Sequence, residues 1–415
     1  QLSIHPLNVL ARHFWEDGSQ LDLFADPTQS LDAVARWAGP TEAKRFAHFC
    51  QTAREVYDAL EGPFIKSASP TMAYMMSTLG PRGLATLASV GPMRSLWHSL
   101  GRHFQDPRLR QLFARYATYC GSSPWEAPAT LMLIAQVEMD GVWSVQGGMH
   151  ALASCLMRLG QARGVNYVFN TECERIECHQ GRINGVRLSS GDSLRADSVV
   201  FNGDIAALRK GLLGPLAQKA THGKVPPRSL SAITWSMQAP TGGMALDRHN
   251  VFFQRDYASE FEDIFAHERL PQSPTVYVCA QDRGVEEAPQ GPERLLCLVN
   301  APARGDTHPP VVDEGALAAF GDKSFAEGRG VDHANQGPSP FIHTDGDAEL
   351  GQPVRVVDRA VEGVDQPEEL SVRQAVLAGL FGQHRVPGEF AADGLENIGL
   401  ALFVDLCDQI GRAHV

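Results

Sequence analysis

Two adjacent glycines, Gly147 and Gly148, close an extended VWSV segment and open a run in which Met149, Leu152, Ala153, Leu156 and Met157 recur at helical spacing. Residues without side chains at such a place either let a ligand come close to the backbone or form a plain helix-start turn. Asn202, Gly203 and Asp204 follow the strand-like ADSVVFN, the position where α/β folds gather ligands. His150 could move protons, although a histidine just inside a helix is more often structural. Eight cysteines are scattered without CxxC spacing, so neither a zinc site nor a redox pair is indicated, no metal is expected, and each cysteine is assigned a reduced, structural role.

The elements that must position these groups can be read in outline. Residues 5–24 spell a hairpin with its turn at Glu16, Asp17, Gly18 and Ser19. From Thr41, a plausible N-cap, apolar residues Phe46, Phe49, Ala53, Val56 and Leu60 keep helical spacing until EGP stops them. Residues 70–104 are rich in Met and Leu and broken by Gly and Pro, which suits short helices in a core or on a lipid-facing surface. A helix is expected from Pro107 to Tyr119, and another near Glu126. After the helix that Gly148 opens, NYVF, ECERIEC, INGVRL and ADSVVFN read as strands joined by the turns HQGR and SSGD, ending in a buried strand of parallel type. LSAITWSMQ, HNVFF, TVYVCAQD and RLLCLVNAP make a separate sheet between 229 and 303.

Composition narrows the partners. Hydrophobic residues at 43% and charged residues at 20% are ordinary for a globular protein. A formal charge of −12, with no cluster of Lys and Arg, excludes nucleic acid. No run reaches the ~20 apolar residues of a membrane span.

The segments RYATYCGSSPWEAP, GVWSVQGGMHAL, NVFFQRDYASEF and SPTVYVCAQDR, in this order within a likeness that covers residues 1 to about 305, closely resemble the carotenoid (phytoene-type) desaturase family of the flavin-dependent amine-oxidase superfamily. Within it the likeness is greatest to the hydroxyneurosporene and methoxyneurosporene desaturases, also called 1-hydroxycarotenoid 3,4-desaturases. The resemblance implies an α/β (α+β) fold: an FAD-binding Rossmann-like domain with an inserted substrate domain of sheet plus helices. It places residues 1–140 in a substrate-binding and helical region, 141–215 in the FAD domain and 216–308 in the substrate sheet. The family opens on a strand and a GxGxxG loop and closes on a GGSxHPGxG segment, neither of which occurs in this sequence. The chain is therefore expected to be a fragment with an incomplete FAD domain. Residues 309–415 are expected to be a non-native or disordered tail: their composition shifts after GDTHP, and IGRAHV is what a common sequencing adapter encodes in one frame.

The resemblance also implies the chemistry. Desaturation takes two hydrogens from a polyene, one as hydride to a flavin, and asks the protein for a dry channel. Gly147, Gly148 and Met149 are then expected beside the flavin, Cys173 at its adenine, and Asn202 and Asp204 near the cofactor. Asp106 and Arg110 are the catalytic candidates, for charge stabilisation or flavin contact, against a plain reading as a helix-start pair. Tyr116, Tyr119 and Trp125 are the substrate candidates, with Thr118 and Glu126 behind them. FAD is the expected cofactor, a hydrophobic carotenoid the expected partner, and a cytoplasmic location with peripheral membrane contact through residues 70–100 the expected setting. Open alternatives are a phytoene desaturase, an amine oxidase, or an inert polypeptide unable to hold FAD.

Overall fold

A computed structural model describes residues 2–305, apart from 68–70, 92, 222–227, 242–243 and 285–290, together with 357–359. The expected tail from 309 onward lies outside the described residues except for that last strand. The chain divides into two compact units: one contains Gln1–Ile4 and Val145–Pro227, the other His5–Ser144 and the stretch from Arg228.

The larger unit is built on a seven-stranded sheet, ordered Val357–Arg359, Ser231–Ala239, Glu293–Ala301, Val276–Ala280, His249–Phe253, Val9–Trp15, Gln20–Phe24. The first two of these pair antiparallel, as do all the others except Val9–Trp15 and His249–Phe253, which run parallel. Gly18, at φ 78°, makes the hairpin turn between Val9–Trp15 and Gln20–Phe24, a conformation that favours glycine. Alternation sends Val251 and Phe253 into one core and Phe252 into a second on the opposite face, so the sheet is buried on both sides there.

Helices pack on the Val251 face. Asp26 caps Pro27–Ala38 by accepting from Thr28 N at 2.8 Å. Pro40–Leu60 presents buried Phe46, Phe49, Ala53, Val56 and Leu60 along one stripe. Its N-cap is Gly39, at φ 90°, and not the expected Thr41, because Pro40 already supplies a first helical residue with no N–H to satisfy. The α-helix ends at Leu60, directly before EGP as expected, and the chain continues in a π turn at Glu61–Ile65, in which Lys66 N reaches Glu61 O at 2.8 Å. Met72–Thr78, Gly80–Val90 and Leu96–His103 are the short helices expected of the Met-rich region. The helix expected over Pro107–Tyr119 is α-helical only to Ala114 and continues as a 3-10 helix over Arg115–Cys120. Near Glu126 a 3-10 turn at Ala129–Met132 leads into the helix Leu133–Met139.

The smaller unit holds the helix Gly148–Ala162 and a three-stranded antiparallel sheet, Cys173–His179, Arg182–Leu188 and Ser193–Arg195. The expected strands NYVF and ADSVVFN do not form, and Val168 and Val200 are 55% and 74% exposed. Their composition favours strand, but neither segment enters a sheet ladder, although Ala196 N, at the start of ADSVVFN, donates to Asn184 O at 3.2 Å. The chain is thus a mixed α/β (α+β) protein. No described helix is long and apolar enough to cross a membrane.

Candidate functional site

Asp106 starts the helix that leads into the site. Its carboxylate accepts Arg108 N at 2.8 Å and holds the Arg108 side chain through Nε at 3.2 Å and Nη2 at 2.8 Å. Arg108 continues to Ser19 and Asp17 and lies 3.9 Å over the Trp37 ring. Arg110 belongs to another network, donating from Nε to Trp97 O at 2.9 Å with its guanidinium 3.8 Å over the Trp97 ring. The two catalytic candidates therefore each hold a protein partner, and they do not face each other.

The helix then tightens. A 3-10 helix has three residues per turn, so side chains at i and i+3 eclipse. This aligns Tyr116 with Tyr119, and both hydroxyls converge on Glu138, near the end of Leu133–Met139. Tyr116 donates to Glu138 Oε2 at 2.6 Å and Tyr119 to Oε1 at 3.1 Å. Arg115 donates to the Tyr119 hydroxyl at 2.6 Å and pairs with Glu138 Oε1 at 3.5 Å. Burial by itself would weaken the Arg115 cation, but Tyr119 and Glu138 outweigh it and raise its pKa. Burial, reinforced by the Glu138 charge, raises both tyrosines. They remain phenols, able to donate hydrogen bonds and unable to serve as bases. Gly121, at φ 64°, ends the turn, and its carbonyl accepts from Leu230 N at 2.9 Å.

Beside the cluster lies a cavity of about 270 Å³. Leu10, Leu23, Phe46, Phe113 and Met139 line it, and Tyr116 and Glu138 break its apolar wall. Tyr119 and Trp125 are not among its lining residues. Trp125 stacks instead with Trp97, ring centroids 4.7 Å apart, and with Phe261 at 5.6 Å. Thr118 returns its hydroxyl to Arg115 O.

Two histidines of the same unit were not singled out by their sequence context. His13 is buried beside Phe253, bonds Leu21 O through Nδ1, and has no described partner at Nε2. Burial, then the Arg115 charge, pushes it down to about 3. His249 bonds the Tyr277 hydroxyl at 2.6 Å, and burial pushes it down to about 4. Glu138 and Arg115 also escaped selection. Arg115 lies in the quoted RYATYC, but nothing near Glu138 in sequence marks it as the acceptor for tyrosines 19 and 22 residues away.

In the smaller unit Gly147, at φ 81°, and Gly148, at φ 75°, begin the Gly148–Ala162 helix. The first turn has no side-chain cap and no acidic residue. A Cβ on Gly148 would meet nothing within 4 Å, and Met149 is 64% exposed. His150 is exposed. Cys173 opens its strand, with Sγ 3.8 Å from Arg175 O and its thiol raised by burial. Asp204 caps Ile205–Arg209 by accepting from Ala206 N at 2.8 Å, next to Asn202 and Gly203 in the chain.

Comparison with known proteins assigns the family. Residues 30–241 match the flavin containing amine oxidoreductases, and the chain belongs to that family. A hydroxyneurosporene desaturase of Rubrivivax gelatinosus is 58% identical over 311 residues, 74% of this chain and 59% of that protein. One of Cereibacter sphaeroides is 42% identical over 302 residues, 72% of this chain and 61% of that protein. A phytoene desaturase of Fusarium fujikuroi is 29% identical over 287 residues, 68% of this chain and 50% of that protein. The chain thus spans 50 to 61% of these relatives.

Proposed function

We propose that this chain takes part in FAD-dependent desaturation of an acyclic hydroxylated or methoxylated carotenoid. The observation that carries the reading is a mainly apolar cavity whose wall holds the hydrogen-bonded pair Tyr116 and Glu138, with Thr28 and Ser30 as its other hydroxyl residues. Hydrocarbon gains from burial there, and a polar end group finds partners. At about 270 Å³ the cavity suits one end of a long polyene, since pockets enclosing an entire small ligand run to roughly 300–1,000 Å³. The 58% identity to a hydroxyneurosporene desaturase supports the same substrate class.

The Gly147–Gly148 turn fits a flavin in one respect: its open, uncapped helix start leaves backbone N–H groups and space that a Cβ would reduce. Gly147, Gly148 and Met149 would hold FAD, with Cys173, Asn202 and Asp204 as further contacts. When bound, FAD supplies the hydride acceptor. The chain's own part is to exclude water along the cavity wall and to fix the end of the polyene. Asp106 and Arg110 set the helix that delivers Tyr116. A direct role at the reacting carbon would require each to leave the partner it now holds. Peripheral membrane contact is assigned to residues 70–100, where Met76 and Met93 are 53% and 93% exposed.

Anaerobic mixing of the FAD-supplemented protein with a hydroxylated acyclic carotenoid should bleach the flavin and move the polyene absorption to longer wavelength. No bleaching with any acyclic carotenoid would sink the reading. Faster turnover of phytoene would favour the phytoene desaturase alternative, and a purified protein without flavin absorbance would favour the inert one. Sedimentation with lipid vesicles tests the membrane contact.

A further inference from the structure

His48 lies on the exposed side of Pro40–Leu60, and His103 is the last residue of Leu96–His103. The two helices pack together, and the imidazole ring centroids are 6.0 Å apart with 38° between the ring planes. Phe49 meets the His103 ring edge-on at 5.5 Å and Phe104 flanks it at 6.4 Å, so that ring is held, while the exposed His48 is free to turn. No described residue hydrogen-bonds a ring nitrogen of either histidine. Each neutral imidazole therefore keeps its nitrogen lone pair available. A late first-row ion binds imidazole nitrogen at about 2.0–2.1 Å, which puts each ring centroid roughly 3.2 Å from it and two rings about 5 to 6.4 Å from each other, depending on the angle at the metal. The observed separation falls inside that range. Arg45, whose Nη1 lies 3.4 Å from His103 O, and Arg102, next to His103 in the chain, oppose any cation held by charge alone. An ion must gain from nitrogen lone pairs to overcome them, which selects copper, nickel or zinc over magnesium or calcium, whose preferred ligands are oxygen.

We infer that His48 and His103 form a two-histidine site for a copper, nickel or zinc ion, which joins the helix Pro40–Leu60 to the end of Leu96–His103 and takes its remaining ligands from water. Among the described residues no group of three or more His, Cys, Asp and Glu could hold a metal, so the protein supplies two ligands and leaves the other positions open. The site is separate from the cavity, which neither histidine lines, and it does not rest on the function proposed above. Its place has a structural consequence. Glu42, on the same helix as His48, accepts from Gln105 N at 3.3 Å in the connection between His103 and Asp106. A bound ion would brace that connection from its other end.

The test is calorimetry of the full chain, untagged and first stripped with a chelator, against nickel chloride near neutral pH. Nickel should bind, and His48→Gln and His103→Gln should each weaken that event roughly 10- to 100-fold, because one imidazole alone loses the advantage of two tethered ligands. Removing both should weaken it little further. Nickel should also raise the melting temperature of the unaltered chain and leave that of either variant unchanged. Copper(II) added at one equivalent should show an electron paramagnetic resonance spectrum split by two imidazole nitrogens, and magnesium chloride should give no heat of binding. Nickel affinity that survives either substitution, a copper spectrum without two nitrogens, or magnesium binding that His48→Gln abolishes would each overturn the inference. If His103→Gln fails to fold, His48→Gln, a change at an exposed position, decides the matter together with the copper spectrum.

Discussion

Tyr119 follows Tyr116 by one full turn of a 3-10 helix, with the two ring centroids 5.8 Å apart. An α-helix would offset the second ring from the first by about 60° around the axis; the tighter winding eclipses them, brings both hydroxyls onto Glu138 and lets one carboxylate pair with the buried Arg115.

Removing that carboxylate should be costly. Glu138→Ala leaves Arg115 buried without its counter-charge, and about 3–5 kcal/mol of stability should be lost. Tyr119→Phe removes one hydrogen bond to a charged group and should cost roughly 1.5–3 kcal/mol. Urea unfolding midpoints rank the two, and a smaller loss for Glu138→Ala would contradict the pairing.

The end of the same turn offers a second check. Gly121 sits at φ 64°, and a Cβ there would lie 2.4 Å from Ser229 Cβ. Gly121→Ala therefore adds a left-handed strain of about 1 kcal/mol or more to a clash with the Ser229 side chain. Thermal unfolding should show a clear drop, and a near-UV signal from the tyrosines should change with it. An unaltered melting temperature would mean that the turn has another conformation.

Proton uptake gives a third. His13 is held at about 3 and His249 at about 4, both chiefly by burial, against an ordinary 6.5. As pH falls through 6.5 the unfolded chain binds these protons and the folded chain does not, so the stability from keeping both rings neutral is whole above 6.5. It declines towards about 4 and 3. Urea midpoints taken from about pH 7 to pH 5 should fall less steeply in His13→Gln than in the unaltered chain. Equal slopes would place the His13 ring in water.

The far side of the sheet carries a fourth. Arg283 grips Glu293 with two bonds of 2.6 Å, from Nε and Nη2, and Glu293 is 1% exposed. Arg283→Met should cost about 3–5 kcal/mol by stranding the carboxylate, and Glu293→Leu added to it should recover much of that loss. A double variant no more stable than the single one would show that the pair is not the relevant unit.

Local signals carried much of the fold. The spacing of Phe46, Phe49, Ala53 and Val56 and the glycine at position 18 correspond to a helix and a hairpin because each depends on neighbours in the chain. What escaped depends on distant ones. NYVF and ADSVVFN have the composition of strands, yet a strand exists only where another pairs with it. EGP ends the α-helix at Leu60, but the π turn that follows it has no local signal. In the site, Tyr116 and Tyr119 stood out by type, whereas Glu138 acquires its meaning only when Leu133–Met139 packs beside the 3-10 turn.

The parallel ladder in which Arg12 lies opposite Asn250 has a consequence for biosynthesis. On the ribosome the first hairpin emerges long before the strand that will flank it, so one of its edges stays unsatisfied through most of translation. Nascent chains arrested before His249 should accordingly be the ones that chaperones retain.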